Sequence, residues 1–107
     1  MELDIKQIKT LYSNWKIIYQ KKVMLNNKEK LGTISSRNNL IKISTNQTIL
    51  SQIQTLEHEK LHAILEELKI NYEDKEIDIL ACSLVKFIQD NPEFIKVILE
   101  GGEINAI

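Results

Sequence analysis

The chain changes its hydrophobic rhythm once, near residue 45. Before that point apolar residues come in short runs broken by asparagine, serine and glycine; beyond it they recur every three or four positions. The first rhythm predicts strands and turns, the second helices. Leu3 to Leu11 departs from its half, because Ile5, Ile8 and Leu11 fall on one face of a short helix. Trp15-Lys16-Ile17-Ile18-Tyr19 is β-branched and aromatic and predicts a strand. Asn26-Asn27-Lys28 marks a turn. Leu31 to Ser35 and Leu40 to Ser44 predict a β-hairpin turning at Asn38-Asn39, since Asn tolerates left-handed backbone angles. Leu40, Ile41 and Ile43 make its second strand largely buried.

In the second half, Thr45 or Asn46 can cap a helix whose apolar stripe runs through Ile49, Leu50, Ile53, Leu56, Leu61, Ile64, Leu65 and Leu68. Lys69 to Asp74 is a polar break. A second helix follows, with Ile77, Leu80, Ala81, Leu84, Val85, Phe87 and Ile88 facing inward, and it stops at Asp90-Asn91-Pro92 because proline cannot continue the hydrogen-bond ladder. Phe94 to Leu99 forms a last short helix closed by Gly101-Gly102. The pattern is α+β: N-terminal antiparallel strands, then packed helices, in one domain over residues 1–100 with a flexible tail at 101–107. At 107 residues there is room for little else.

Composition changes this picture only in part. Residues 1–50 carry nine Lys/Arg against three Asp/Glu, and residues 51–107 five against twelve. A solvated surface, basic at one side and acidic at the other, accounts for that asymmetry. A nucleic-acid footprint would need aromatic interleaving or a recognition motif, and the chain has neither. The single cysteine, Cys82, has no intrachain partner for a disulfide, and its neighbours Leu80, Ala81 and Leu84 predict a buried position. The N-terminus lacks the layout of a signal peptide, and no apolar run approaches the ~18–20 residues of a membrane span. These features predict a protein of the reducing cytoplasm.

The chemistry lies in His58-Glu59-Lys60-Leu61-His62, which uses the only two histidines in the chain. Residues four apart on a helix share a face, so both imidazoles can reach one ion, with Glu59 beside them as a general base toward water. This is the H-E-x-x-H arrangement of zinc peptidases. A catalytic zinc site takes three protein ligands. With no third histidine, the remaining ligand should be a carboxylate at the start of the second helix. Glu73, Asp74, Glu76 and Asp78 are the candidates, and an antiparallel return favours Asp78, then Glu76, then Glu73. Zn2+ is the expected cofactor, although Mn, Fe or Co accept the same ligands. Arg37, Tyr12, Tyr19 and Tyr72 are the residues available to stabilise an oxyanion, and nothing in the sequence selects one.

The stretch Thr55-Leu56-Glu57-His58-Glu59-Lys60-Leu61-His62-Ala63-Ile64 resembles the active helix of short metallopeptidases of phages and mobile elements, relatives of the repressor-cleaving ImmA/IrrE-type metallopeptidases. Asp78-Ile79-Leu80-Ala81, Asp90-Asn91-Pro92-Glu93 and the strand pair Leu31-Gly32-Thr33-Ile34 and Leu40-Ile41-Lys42-Ile43 are similar to the same family, so the resemblance spans residues 31–95. It implies a small zincin-like domain, His58, His62 and Asp78 as zinc ligands, and Glu59 as general base. The family usually has Glu where this chain has Asp78, which is one methylene shorter. Zinc-peptidase motifs also prefer an uncharged residue at Lys60, which should point to solvent or pair with Glu57 or Glu59. The implied substrate is a protein segment, such as a phage-type repressor, added as a strand along Leu31–Ile34 or Leu40–Ile43. Two other readings are a zinc-stabilised binding or adaptor domain without turnover, and a metal-free regulatory protein.

Overall fold

A computed structural model describes residues 1–102 of the chain. It is an α+β fold in which six strands precede three helices. The strands are β1 (Gln7–Lys9), β2 (Asn14–Gln20), β3 (Val23–Leu25), β4 (Lys28–Lys30), β5 (Gly32–Ser35) and β6 (Leu40–Ser44). The helices are α1 (Ile49–Glu67), α2 (Asp74–Asp90) and α3 (Pro92–Glu100).

Four strands make one sheet in the order β1-β2-β6-β5, and β3 and β4 form a separate hairpin. The predicted hairpin is present: β5 pairs antiparallel with β6 from Gly32↔Ile43 to Ser35↔Leu40, and Asn39 in its turn has φ +49°. The Asn26-Asn27 turn joins β3 to β4 with both residues left-handed, as a two-residue hairpin loop demands. The sheet is mixed, however. β2 runs parallel to β6, with Ile17 opposite Ile41 and Tyr19 opposite Ile43, where antiparallel strands were expected. Strands β3 to β5 make up the crossover between β2 and β6.

Residues 3–11 do not form a helix. Leu3 enters the core, its N–H donating to the Oε1 of the fully buried Gln52. Ile17 N–H bonds the Lys6 carbonyl, and β1 pairs with β2. The backbone groups that a helix would have paired internally are satisfied by the sheet and by α1 instead.

Alternation along β2 and β6 sends Trp15, Ile17, Ile41 and Ile43 to one face of the sheet, where Leu56 and Ala63 of α1 cover them. The cap of α1 lies three residues beyond Thr45, at Thr48, whose hydroxyl accepts from Ser51 N–H at 3.1 Å. Gly32 lets β5 approach this helix, since a Cβ there would stand 2.5 Å from the Thr55 methyl.

The second core is smaller: Leu61 of α1 packs on Ile77 and Ala81 of α2, with Leu65 and Tyr72 at its margin. The inward face of α2 is narrower than its apolar period predicts. Ile77, Ala81 and Val85 are buried, but Leu80, Leu84, Phe87 and Ile88 are exposed, because α1 covers only a narrow stripe of α2. Cys82 is also exposed, one residue round the helix from Ala81. α2 ends at Asp90 as predicted, and Pro92 opens α3, which buries no residue. Gly101 is the C-cap of α3, and residues 103–107 of the expected tail lie outside the described residues. No helix among the described residues is long and apolar enough to cross a membrane.

Candidate metal centre

His58, Glu59 and His62 sit mid-way along α1, and their ligand atoms lie within 4.8 Å of one another. The helix supplies the geometry: His58 and His62 are one turn apart with ring centroids 4.8 Å from each other. Their Nε2 atoms face at 3.1 Å.

The opposite nitrogens are both engaged. His58 Nδ1 lies 2.7 Å from Asp78 Oδ1, and a carboxylate only accepts. His62 Nδ1 lies 2.9 Å from the Tyr72 hydroxyl, whose one proton goes to Glu66 Oε1 at 2.9 Å. Tyr72 therefore accepts from His62, and both imidazoles carry a proton on Nδ1. With neutral rings this pattern leaves two Nε2 lone pairs aimed at each other, an arrangement that favours a cation between them. Two imidazole nitrogens at about 2.0–2.1 Å from a tetrahedral zinc would stand about 3.3–3.4 Å apart. The observed 3.1 Å is within a few tenths of that spacing. The donor set could hold a metal ion.

Glu59 completes the group from beneath. Only 6% of it is exposed, and its Oε1 is 3.8 Å from His58 Nε2. Burial, with the Asp74 carboxylate adding to it, pushes its pKa up to about 7. Burial likewise lowers the His62 pKa, and the neighbouring His58 lowers it further. Lys60 pairs with Glu57, three residues back on the helix, and so leaves Glu59 alone.

The acids predicted at the start of α2 divide. Asp78 reaches His58 at Nδ1, the nitrogen turned away from the shared space. Asp74 reaches His62 at Nε2, the nitrogen turned into it, with its Oδ1 3.4 Å away. Glu73 and Glu76 are occupied in a capping box at the N-terminus of α2, Glu76 Oε1 accepting from Glu73 N–H at 2.9 Å. The contacts 58–78 and 62–74 also show that α1 and α2 run antiparallel, as the short polar break implied.

The Tyr72–Glu66 pair was not foreseen as part of the site. Its signal was present: Glu66 follows His62 by four residues, and Tyr72 is the aromatic in the break that folds α2 back. The other residues considered for an oxyanion lie elsewhere. Tyr19 donates its hydroxyl to the Ile5 carbonyl at 2.7 Å, Arg37 is in the β5–β6 turn, and Tyr12 is beside the C-terminal end of α1.

A cleft of about 380 Å³ opens on this group between α1, α2 and the edge of the sheet. His58, Glu59 and Asp78 line one wall, Lys30, Leu31 and Gly32 the other, and exposed Cys82 contributes to it. β5 is the sheet's outer strand here, whereas β6 is paired on both sides. Leu40–Ile43 therefore has no free edge for a guest strand; β5 does. No protein-family model, curated protein or solved structure matches the chain.

Proposed function

We propose that this chain is a zinc-dependent metallopeptidase-like hydrolase acting on a protein segment. The observation that carries the reading is the pair of Nε2 atoms facing at 3.1 Å with both Nδ1 atoms engaged behind them, next to a buried glutamate in an open cleft. His58 and His62 would hold the ion together with a carboxylate from α2. Zinc, when bound, supplies a Lewis acid that acidifies water and polarises a carbonyl.

The chain's own residues then do the following. Glu59, held by burial at the floor of the cleft, takes the proton of the attacking water and returns it to the departing amine. β5 offers its unpaired edge along the cleft, so a substrate in extended conformation adds as a strand and its scissile carbonyl is held over Glu59. Lys30 at the opposite wall places a positive charge beside the bound chain. The resemblance to repressor-cleaving metallopeptidases makes a DNA-bound regulator the substrate class to try first.

A second reading, a zinc-stabilised binding domain, is favoured by one observation. No tyrosine or arginine is among the residues that line the cleft, and Tyr72 stands behind His62 rather than in front of it. Zinc content and cleavage of a quenched peptide library, measured on wild type, His58→Ala and Glu59→Gln, decide between them. A peptidase binds one zinc per chain, loses it in His58→Ala, and loses turnover but not zinc in Glu59→Gln. Zinc binding with no cleavage by the wild type leaves the binding domain, and no zinc in any variant removes both.

A further inference from the structure

We propose that Asp78 and Tyr72 are positioning residues, each fixing one imidazole of the pair from behind, so that the carboxylate ligand comes from Asp74. The ligand roles rest on the zinc reading above; the positioning roles do not, because the contacts exist in the fold itself.

Each group is distinguished by the nitrogen it touches. A carboxylate that serves as ligand must share the space into which the Nε2 atoms point. Asp78 does not: its Oδ1 is 2.7 Å from His58 Nδ1, on the far edge of the ring. This is the carboxylate–imidazole contact that fixes a tautomer, orients the ring and raises the basicity of the other nitrogen. Tyr72 makes the matching contact on His62 at 2.9 Å. A tyrosine hydroxyl is free to turn, and as a donor to Nδ1 it would select the wrong tautomer. Glu66 prevents that by taking the hydroxyl proton, which leaves the phenol oxygen only as an acceptor toward His62. Three residues thus act in series: Glu66 orients Tyr72, Tyr72 orients His62, and His62 presents Nε2.

The two supports come from different segments. Glu66 is on the same helix as His62, Tyr72 is in the break before α2, and Asp78 is in the second turn of α2. The α1–α2 hairpin must therefore be closed for both rings to be held together. Asp74, four residues before Asp78 and on the same side of α2, remains as the acid of α2 whose oxygen approaches a metal-facing nitrogen, 3.4 Å from His62 Nε2. In a tetrahedral zinc site a carboxylate oxygen and an imidazole nitrogen stand about 3.3 Å apart.

Two measurements test this. The first is the long-range proton–nitrogen correlation spectrum of metal-free protein carrying labelled histidine, taken at a pH where the rings are neutral; the chain has only two such rings. In the wild type Nδ1 of each ring carries the proton. Tyr72→Phe, which keeps the ring that packs on the second core, shifts His62 alone toward the Nε2–H form. Asp78→Ala shifts His58 alone, and Asp78→Asn, which keeps an acceptor oxygen, restores it. The second is zinc titration. Tyr72→Phe and Asp78→Ala each weaken zinc about tenfold to a hundredfold but still bind one per chain, whereas Asp74→Ala does not retain a stoichiometric ion.

Tautomers that do not move in Tyr72→Phe and Asp78→Ala would overturn the positioning roles. Loss of stoichiometric zinc in Asp78→Ala, with Asp74→Ala unaffected, would overturn the division between the two acids and make Asp78 the ligand. A wild type that takes up no zinc while its tautomers respond as described would remove the metal reading and leave the positioning roles standing.

Discussion

The two cores of this protein are built by different amounts of cover. The first is closed on every side: Ile41 and Ile43 have no exposed surface, Trp15 donates its indole N–H to Thr10 at 3.0 Å, and even the buried Gln52 has partners for both ends of its amide. The second is a single seam in which Leu61 meets Ile77 and Ala81, while Leu80, Leu84, Phe87 and Ile88 on the same helix remain exposed. The candidate metal group sits where the two meet. Its histidines belong to α1, which the first core holds, and the groups that touch their outer nitrogens come from the seam. Donors placed by a rigid helix are thus oriented by a less deeply anchored one. Four predictions press on this contrast, from the largest effect to the smallest.

Ile43→Ala removes a fully buried side chain that pairs with both Tyr19 and Gly32 across the sheet. The loss is about 2–5 kcal/mol, the usual range for such truncations, because a closed core has little freedom to collapse into the cavity. Urea denaturation reads it directly. A loss under about 1 kcal/mol would show the first core to be loosely packed and erase the contrast.

Glu59 gives the next effect, in protein stripped of metal by chelator. Its carboxyl is raised from about 4.5 in the unfolded chain to about 7 in the fold, mainly by burial. The folded protein therefore holds the proton more tightly than the unfolded chain does across that window. The associated stability is fully present below about pH 4.5 and is lost as pH rises through about 7, some 3 kcal/mol in all by order of magnitude. His62 acts in the opposite sense below 6.5, because its pKa is lowered by burial and by His58. The quantity to measure is thus the difference between wild type and Glu59→Gln, in urea midpoints from pH 4 to 8. Parallel profiles would mean that Glu59 is solvated rather than buried.

Gly32→Ala tests the join between sheet and helix. The new methyl would stand 2.5 Å from the Thr55 methyl and 3.1 Å from the Lys42 carbonyl oxygen, so the strand or the helix must move. Overpacking of this kind costs about 1–3 kcal/mol. Thr55→Ser removes the nearer obstacle while keeping the hydroxyl that donates to the Ser51 carbonyl, and it should recover part of the loss. An additive double variant would show that the close approach is not the reason for glycine here.

How far the sequence disclosed this arrangement follows the same division. Where one element decides its own geometry, the residues suffice. Asn39 and the Asn26-Asn27 pair take left-handed angles and fix their turns, Pro92 ends α2, and the spacing of His58 and His62 places them on one helical face. Where the outcome depends on what covers a surface, they do not. The 3.6-residue period marks Leu80, Leu84 and Phe87 as an apolar face, but it does not say that the buried residues of α2 are Ile77, Ala81 and Val85 alone. Cys82 was misplaced for the same reason. The helix expected over residues 3–11 lost to pairing with the next strand, β2, and to Gln52 on α1, a partner distant in sequence that no local pattern announces. At the site, two of the acids named at the start of α2 approach the histidines, yet which nitrogen each meets depends on how the hairpin closes.

Phe94→Ala carries the smallest effect and the sharpest contrast with Ile43→Ala. Phe94 is the largest apolar side chain of α3, a helix that buries no residue, and about half of its surface is exposed. Its one ring partner is Phe87, at a centroid distance of 5.8 Å and at right angles, a geometry worth about 0.5–1.5 kcal/mol beyond burial when enclosed. Phe87 is itself 44% exposed, so solvent already reaches both rings and much of that gain is absent. Truncation should therefore cost about 1 kcal/mol or less by urea denaturation and leave zinc affinity unchanged, since the groups that hold His58 and His62, Asp78, Asp74 and Tyr72, come from other segments. A loss approaching that of Ile43→Ala would mean that the exposed faces of α2 and α3 are covered in solution. The contrast between the two cores would then be a property of the single chain rather than of the working protein.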